Sequence, residues 1–335
     1  MPAKIWDVVI AGAGPAGLSA ALTLGRCCRT VLICDTGTPR SWASKEMHGF
    51  LSRDGIEPEA FRKIAHRELT RYGSVVFHAG EVTTALRGPD GAFRVSIRGR
   101  RPVRCRKLLI ATGVFDELPR IQGIEPLFGK SVFQCPYCDG WEMRDKPIAV
   151  YGRHQRGFEM ARAMTAWCDD IALCTDGPSR LSVEARTHLR RNAIQLFEQR
   201  IERLEGRGGA LQAVVFRDGG TLLRSALFFD TPSSGQSRLA ESLGCQFSKH
   251  GGIKCGQYEA TSVPGVFVAG NIIKDVQLVI VAAAEGTRAA FGINRALTRE
   301  NFAKRATGSR RIQHPTLEDN AMQRRRSPVA SRLLD

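Results

Sequence analysis

Short apolar runs alternate along this chain with segments of helical period. Lys4–Ile10 is a mostly apolar run, too short for a helix and of the kind buried on both faces of a parallel sheet. The turn Gly12-Ala13-Gly14-Pro15-Ala16-Gly17 follows, then an apolar helix through about Gly25 and a second strand, Val31–Cys34, ending at Asp35. This is a β-α-β unit of the kind that opens a doubly wound domain. Phe61–Tyr72 reads as a helix. Val75–His78, Glu81–Leu86 and Phe93–Arg98 read as strands parted by turn signals such as Gly88-Pro89-Asp90-Gly91, and Leu108–Thr112 is another buried strand.

After Pro119 the same grammar starts again. Pro147–Tyr151 predicts a strand, Gly157–Trp167 a helix and Ile171–Cys174 a strand, a second β-α-β unit that points to duplication of one domain type. Weaker strands are expected at Gln195–Glu198, Ala213–Phe216 and Leu227–Phe229. Val266–Ala269 is one more strand, and alanine-rich Leu278–Leu297 a long buried helix. From about Arg299 to Asp335 the chain is charged with little periodicity, which predicts a loosely attached basic tail.

Composition narrows the classes. A length of 335 residues allows two domains, and 43% hydrophobic with 24% charged content is ordinary for a folded protein. No apolar run is long enough to span a membrane, and the N-terminus enters a strand pattern directly without an apolar leader, so the expected location is cytoplasmic. In that compartment most of the ten cysteines should be reduced, packed thiols, Cys27 and Cys28 on the first helix among them. The net charge of +16 gathers at Arg98–Lys107 and in the tail, around Arg310, Arg311 and Arg324 to Arg326. Neither cluster is interleaved with aromatics that stack on bases, so solvated faces are expected and nucleic acid is not an expected partner.

Three strand-turn segments and one cysteine pair carry the chemistry. Gly12-x-Gly14-x-x-Gly17 lies between a strand and a helix, with Asp35 a little over twenty residues beyond Gly12, the context that makes the pattern a dinucleotide site. Gly12 permits the tight turn, Gly14 leaves room for a pyrophosphate, Gly17 permits close helix packing, and the helix N-terminus at Pro15 and Ala16 stabilises the anion. Leu109-Ile110-Ala111-Thr112-Gly113 is a buried strand ending in small residues that let the chain pass close to a cofactor. Gly265–Asn271 breaks in the same way at Gly270, with Asn271 offering a hydrogen-bonding side chain, and the helix after it begins near Asp275-Val276-Gln277. Cys135-Pro136-Tyr137-Cys138 can close a small disulfide ring, and its spacing suits both a redox couple and half a zinc site. Zinc needs two further ligands, and there is no second C-x-x-C; Cys168, Cys174 and His154 form no familiar spacing.

Taken in order, Gly12–Gly17, Ala111-Thr112-Gly113, Cys135–Cys138 with Asp139-Gly140, and Gly265–Asn271 resemble the low-molecular-weight thioredoxin reductases and their relatives, over about residues 1–298. The resemblance implies an α/β fold of two Rossmann-like, three-layer nucleotide-binding domains. The FAD domain would be discontinuous, about 1–117 and 250–298, with a pyridine-nucleotide-type domain of about 118–249 inserted into it and a basic tail at 299–335. It implies FAD bound by Gly12, Gly14, Pro15, Ala16, Gly17, Asp35, Ala111, Thr112, Gly113, Gly270, Asn271, Gln277 and Leu278. Cys138 would lie over the flavin, Cys135 would attack a substrate disulfide, and Asp139 would manage the proton on the leaving thiolate. It further implies a homodimer and a thioredoxin-like protein or a small-molecule dithiol or disulfide as partner.

The chain departs from this family at the second nucleotide turn. Gly152-Arg153-His154-Gln155-Arg156-Gly157 keeps Gly152 and Gly157 but replaces the middle glycine by His154, whose side chain should obstruct a pyrophosphate. Where the family places basic residues for a 2′-phosphate stands Thr175-Asp176-Gly177, with Arg180 nearby; Asp176 should repel that phosphate, leaving NADPH or NADH open. Pro136-Tyr137 within the pair, with Trp141 after it, is closer to a divergent branch that includes oxygen-dependent dithiol oxidases. Tyr137 and Trp141 are candidates to shape a substrate pocket, Trp141 equally a core residue. His48 is a candidate base, or an ordinary core or surface histidine. The readings in play are a thioredoxin reductase-like enzyme, an oxygen-dependent dithiol oxidase acting on small molecules or a reductase with a non-nicotinamide donor, and a non-catalytic flavin redox sensor docking through the basic tail.

Overall fold

The computed structural model describes residues 5–230, 233–234 and 237–306, so the tail arginines named above lie outside the described residues. The chain divides into two compact units, one of residues 1–40, 59–114 and 235–335, the other of residues 41–58 and 115–234.

In the first unit, β1 (Ile5–Ala11), α1 (Pro15–Arg26) and β2 (Val31–Asp35) form the opening β-α-β unit, followed by α2 (Pro58–Leu69), β3 (Val75–Ala79), β4 (Val82–Arg87), β5 (Phe93–Ile97) and β6 (Arg100–Ile110). The sheet order is β3-β2-β1-β6-β5-β4. β1, β2, β3 and β6 run parallel, while β4, β5 and the first half of β6 form an antiparallel extension. Val8–Ala11 and Leu108–Ile110 are buried on both faces, which is why these strands read as unbroken apolar runs.

The second unit holds β7 (Phe115–Asp116), β8 (Val132–Phe133), α3 (Pro136–Asp139), β9 (Ile148–Tyr151), α4 (His154–Met164), β10 (Ile171–Cys174), α5 (Val183–Arg191) and β11 (Gln195–Phe197). It continues through β12 (Ile201–Arg207), β13 (Ala210–Phe216), β14 (Thr221–Leu223), β15 (Ala226–Phe229) and β16 (Ser233–Ser234). Its main sheet is wholly parallel, in the order β11-β10-β9-β15-β8, with one apolar cluster on each face. Helices α4 and α5 contribute to one cluster, and the antiparallel β12-β13-β14 sheet to the other. Residues 41–58 belong here by packing: Gly129 (φ +71°) passes so close to Ala43 that a Cβ would fall 2.3 Å from its carbonyl oxygen.

The chain then returns to the first unit through α6 (Arg238–Ser242), β17 (Val266–Val268), which pairs parallel with Leu108–Ile110, and α7 (Val279–Ala306). Gly286 brings α7 against α1; a Cβ there would fall 2.0 Å from the Ala16 carbonyl oxygen. Both units are thus three-layer, Rossmann-like folds.

Helix α7 corrects the expectation that order fails near Arg299. Glu300 accepts hydrogen bonds from Lys107 and, at 2.8 Å, from Arg106, whose other nitrogen reaches Asp7 at 3.0 Å. A buried lysine and a partly buried arginine thereby hold the last turns of the helix to the sheet. The same pairs, with Arg98–Glu81 and Arg104–Asp90, tie much of the Arg98–Lys107 cluster into local ion pairs rather than a free basic face. Cys27 and Cys28 are exposed at the C-terminus of α1, not packed.

Candidate active site

At the first turn, Gly12 has φ +106°, and a Cβ there would fall 2.2 Å from the Ala111 carbonyl oxygen, so only glycine lets β1 turn this close to the end of β6. A Cβ on Gly17 would fall 2.0 Å from the Gly12 oxygen, whereas one on Gly14 would meet nothing within 4 Å. That open space lies at the start of α1, a helix beginning at Pro15 and Ala16 with no side-chain cap, so its unpaired amides and positive dipole end are available to an anion. At the tip of β2, Asp35 Oδ1 accepts from the Ala13 amide at 3.4 Å and Oδ2 from Arg62 at 2.6 Å. Thr112 and Gly113 (φ +67°) continue from Ala111 past the turn. Gly270 (φ +85°) donates its N–H to Glu285 at 2.7 Å, and Asn271 opens a single 3-10 turn. Gln277 Oε1 accepts from Arg40 at 2.5 Å, and the Leu278 carbonyl accepts from Ala282, so α7 starts at Val279, one residue after the expected Leu278. An open space at an uncapped helix end beside a strand-tip carboxylate fits the pyrophosphate and ribose of a dinucleotide.

Cys135 and Cys138 are joined in a disulfide at the start of α3. Asp139 follows at once, its amide donating to the Cys135 carbonyl at 3.2 Å. Burial pushes the Asp139 carboxyl up to about 7; nearby Glu142 adds to the rise, and a protonated His48 works against it. A carboxyl near that value can hold or release a proton at neutral pH, and it follows Cys138 directly in the chain. Tyr137 and Trp141 are 73% and 63% exposed, so Trp141 is not a core residue. Tyr137 packs edge-on against Trp167, and Arg144 stacks on Trp141 with its guanidinium carbon 4.0 Å from the ring centre.

The second turn keeps the close Gly152–Gly157 approach, 2.2 Å from a Cβ on Gly157 to the Gly152 oxygen. At the position of Gly14 stands His154, a left-handed residue at φ +54°. Where a glycine would carry nothing, His154 carries an exposed imidazole that lines the adjoining cavity, and both neighbouring cations are committed. Arg153 donates to the Thr175 carbonyl at 3.2 Å and to Asp176 Oδ2 at 2.7 Å, and Arg156 makes a bidentate pair with Asp230 at 2.5 and 3.0 Å. These residues do not fit a pyrophosphate in the pose that the first turn offers. Asp176 is also engaged by the Ile201 amide at 2.9 Å and by Arg200 at 3.6 Å, so it is no free negative charge. The adjoining cavity of about 240 Å³ counts Arg153, Arg180 and Arg200 against that one carboxylate, which offsets the repulsion expected of Asp176.

Arg62, Asp230 and Arg200 have no local sign in the sequence and are brought in by tertiary pairing; Glu142 closes the stretch that begins at Cys135, three residues beyond Asp139.

Residues 6–286 match the family model described as pyridine nucleotide-disulphide oxidoreductase. Thioredoxin reductase tcpT of Claviceps purpurea is 30% identical, the match covering 80% of this chain and 87% of that protein. Thioredoxin reductase sirT of Leptosphaeria maculans is also 30% identical, over 87% and 94%. The crystal structure of HlmI superimposes with a TM-score of 0.87 at 35% identity, over 90% of this chain and 96% of that one. With two Rossmann-like units and a dinucleotide turn that fits FAD, the chain belongs to the pyridine nucleotide-disulphide oxidoreductase family and is a thioredoxin reductase-like flavoprotein oxidoreductase.

Proposed function

We propose that this enzyme performs thiol–disulfide exchange at Cys135–Cys138 with an external dithiol or disulfide, a thioredoxin-like protein or a small molecule. The observation that carries the reading is a closed C-x-x-C disulfide directly beside a buried carboxyl held near neutrality. The first unit is the FAD domain, built from Gly12–Gly17, Asp35, Ala111–Gly113, Gly270, Asn271, Gln277 and Leu278, and the second carries the dithiol. Bound in the first unit, FAD supplies a two-electron partner for the pair. Cys135 is the sulfur that exchanges with substrate, Cys138 the flavin-side sulfur, and Asp139 the acid that protonates Cys138 as it leaves. By family likeness the working form is a homodimer. Cys138→Ser should leave the purified protein yellow and abolish exchange; a colourless wild-type protein would sink the reading.

The second turn favours one direction of flux. With His154 in the pyrophosphate space and both turn arginines paired to carboxylates, electrons enter from the dithiol rather than from a nicotinamide. The net reaction is then R(SH)2 + O2 → RS2 + H2O2, in which two electrons and two protons move together. Peroxide formed from a dithiol without nicotinamide supports this direction. Rapid anaerobic bleaching of the flavin by stoichiometric NADPH or NADH eliminates it and leaves the reductase.

A further inference from the structure

The thiol-exchange reading gives Asp139 a proton to deliver but no route by which to recover it. Glu142 lies three residues beyond Asp139 and its charge raises the Asp139 carboxyl, while its own Oε2 is shut off from solvent with no hydrogen-bond partner. The other oxygen of Glu142 lies 3.6 Å from His48 Nε2. The histidine sits on the connection between Ser41 and Pro58, which is pinned in shape by pairing of Met47 with Ile56 and by the Gly49 amide donating to Asp54 at 2.8 Å. His48 also approaches two solvent-exposed carboxylates, Glu46 at 3.5 Å from the same Nε2 and Asp54 at 3.6 Å from Nδ1, the opposite ring nitrogen. A line of ionisable groups therefore runs from beside the disulfide to water: Asp139, Glu142, His48, then Glu46 and Asp54.

We propose that Glu142 and His48 form the proton conduit that reloads Asp139, acting as positioning and relay residues without touching the sulfurs. The inference rests on the thiol-exchange reading. In the step it serves, a substrate thiolate attacks Sγ of Cys135, and its electron pair forms the new S–S bond while the Cys135–Cys138 bond breaks. Cys138 leaves with the bonding pair and takes the Asp139 proton. The Asp139 carboxylate recovers a proton through Glu142 and the imidazole, which can give a proton from one ring nitrogen while receiving one at the other. The substrate's second thiolate then resolves the mixed disulfide, leaving the substrate oxidised and the cysteine pair reduced.

The experiment follows steady-state oxidation of dithiothreitol by the holoprotein in air, in which Asp139 must be reloaded in every cycle, with rates expressed per dithiothreitol thiolate from acid to alkaline pH. In the wild type this rate falls as pH rises through about 7, where Asp139 loses its proton. His48→Gln removes a group that favours the carboxylate whenever it is protonated and moves the inflection to higher pH; Glu142→Gln removes an anion that disfavours it and moves the inflection lower. Each variant slows the rate at neutral pH by about tenfold, short of the hundredfold or more expected for losing the direct acid Asp139. Added imidazole restores the His48→Gln rate. Inflections that stay put or move in the same direction, or a loss that imidazole leaves untouched in a variant of normal flavin content, overturn the conduit. Exchange that survives Cys138→Ser overturns the thiol-exchange reading instead, so the two failures are told apart.

Discussion

Replacing Asp139 by asparagine tests whether burial sets the chemistry beside the disulfide. In the folded protein the carboxyl is raised from its ordinary value of 3.8 to about 7, with burial the largest cause, Glu142 adding to it and His48 opposing. A carboxyl whose folded value lies above its unfolded one holds its proton more tightly when folded. Its contribution to stability is therefore intact below 3.8, declines as pH rises between the two values, and levels off above about 7. At 1.36 kcal/mol per decade, the full difference is about 4 kcal/mol, and the part that falls between pH 5 and pH 8 is about 3 kcal/mol. The assay is urea denaturation of oxidised wild type and Asp139→Asn across that range. Because other titrations occur in both proteins, the difference between them isolates residue 139, and the advantage of wild type over the variant should shrink by about 3 kcal/mol from the acid to the neutral side. A difference that stays flat, or that grows in the wild type's favour as pH rises, would refute a buried, near-neutral carboxyl and with it the acid role.

Three further outcomes are expected. Gly17→Ala forces a Cβ to within 2.0 Å of the Gly12 oxygen, so the turn must shift; the variant should lose bound flavin and about 1–3 kcal/mol of stability. Normal flavin content would contradict the close packing of α1 on its turn. Glu300→Ala leaves Arg106 and Lys107 without their shared carboxylate, and since that group is 39% exposed the cost is screened to about 1 kcal/mol, read by denaturation at low salt; no change at all would restore a loose tail from Arg299. His154→Gly opens the second turn and suits its left-handed backbone, so anaerobic bleaching by NADPH or NADH should quicken; an unchanged rate would show that the imidazole is not the obstacle.

What could be read from the sequence was what is local. Gly17 declares itself because the contact that excludes its Cβ, with Gly12, is made within one strand-turn-helix passage; Gly12, whose Cβ would meet Ala111, is read from its place in the same glycine pattern, and Cys135 and Cys138 from a spacing that permits the ring. Strand β12 escaped notice because a register shift between Ile201 and Arg203 breaks the alternation, leaving Ile201 and Leu204 inward at a spacing of three. The end of α7 was misjudged for a different reason: its apolar stripe stops near Leu297, while the turns beyond are held by Arg106 and Lys107, almost two hundred residues earlier in the chain. His48 and Glu142 were both visible as residues, but only folding brings the connection after β2 against the turn that follows α3.

The two nucleotide turns show how one backbone grammar can serve opposite ends. Both keep the outer glycine pair, because each strand must pass its helix at van der Waals limits whatever is bound there. They part at the middle position and in the company kept by charge. In the first, the middle residue is a bare glycine, the helix end is uncapped, and the strand-tip Asp35 is steadied by Arg62, which lies outside the turn. In the second, a histidine fills the middle, and the turn's own arginines are drawn off by Asp176 and Asp230, at the ends of the neighbouring strands β10 and β15. A phosphate entering there must displace two ion pairs as well as a side chain. Because these obstacles are independent, clearing His154 alone removes one of three, and the gain in nicotinamide reduction from His154→Gly should be partial until Asp176 and Asp230 release their arginines.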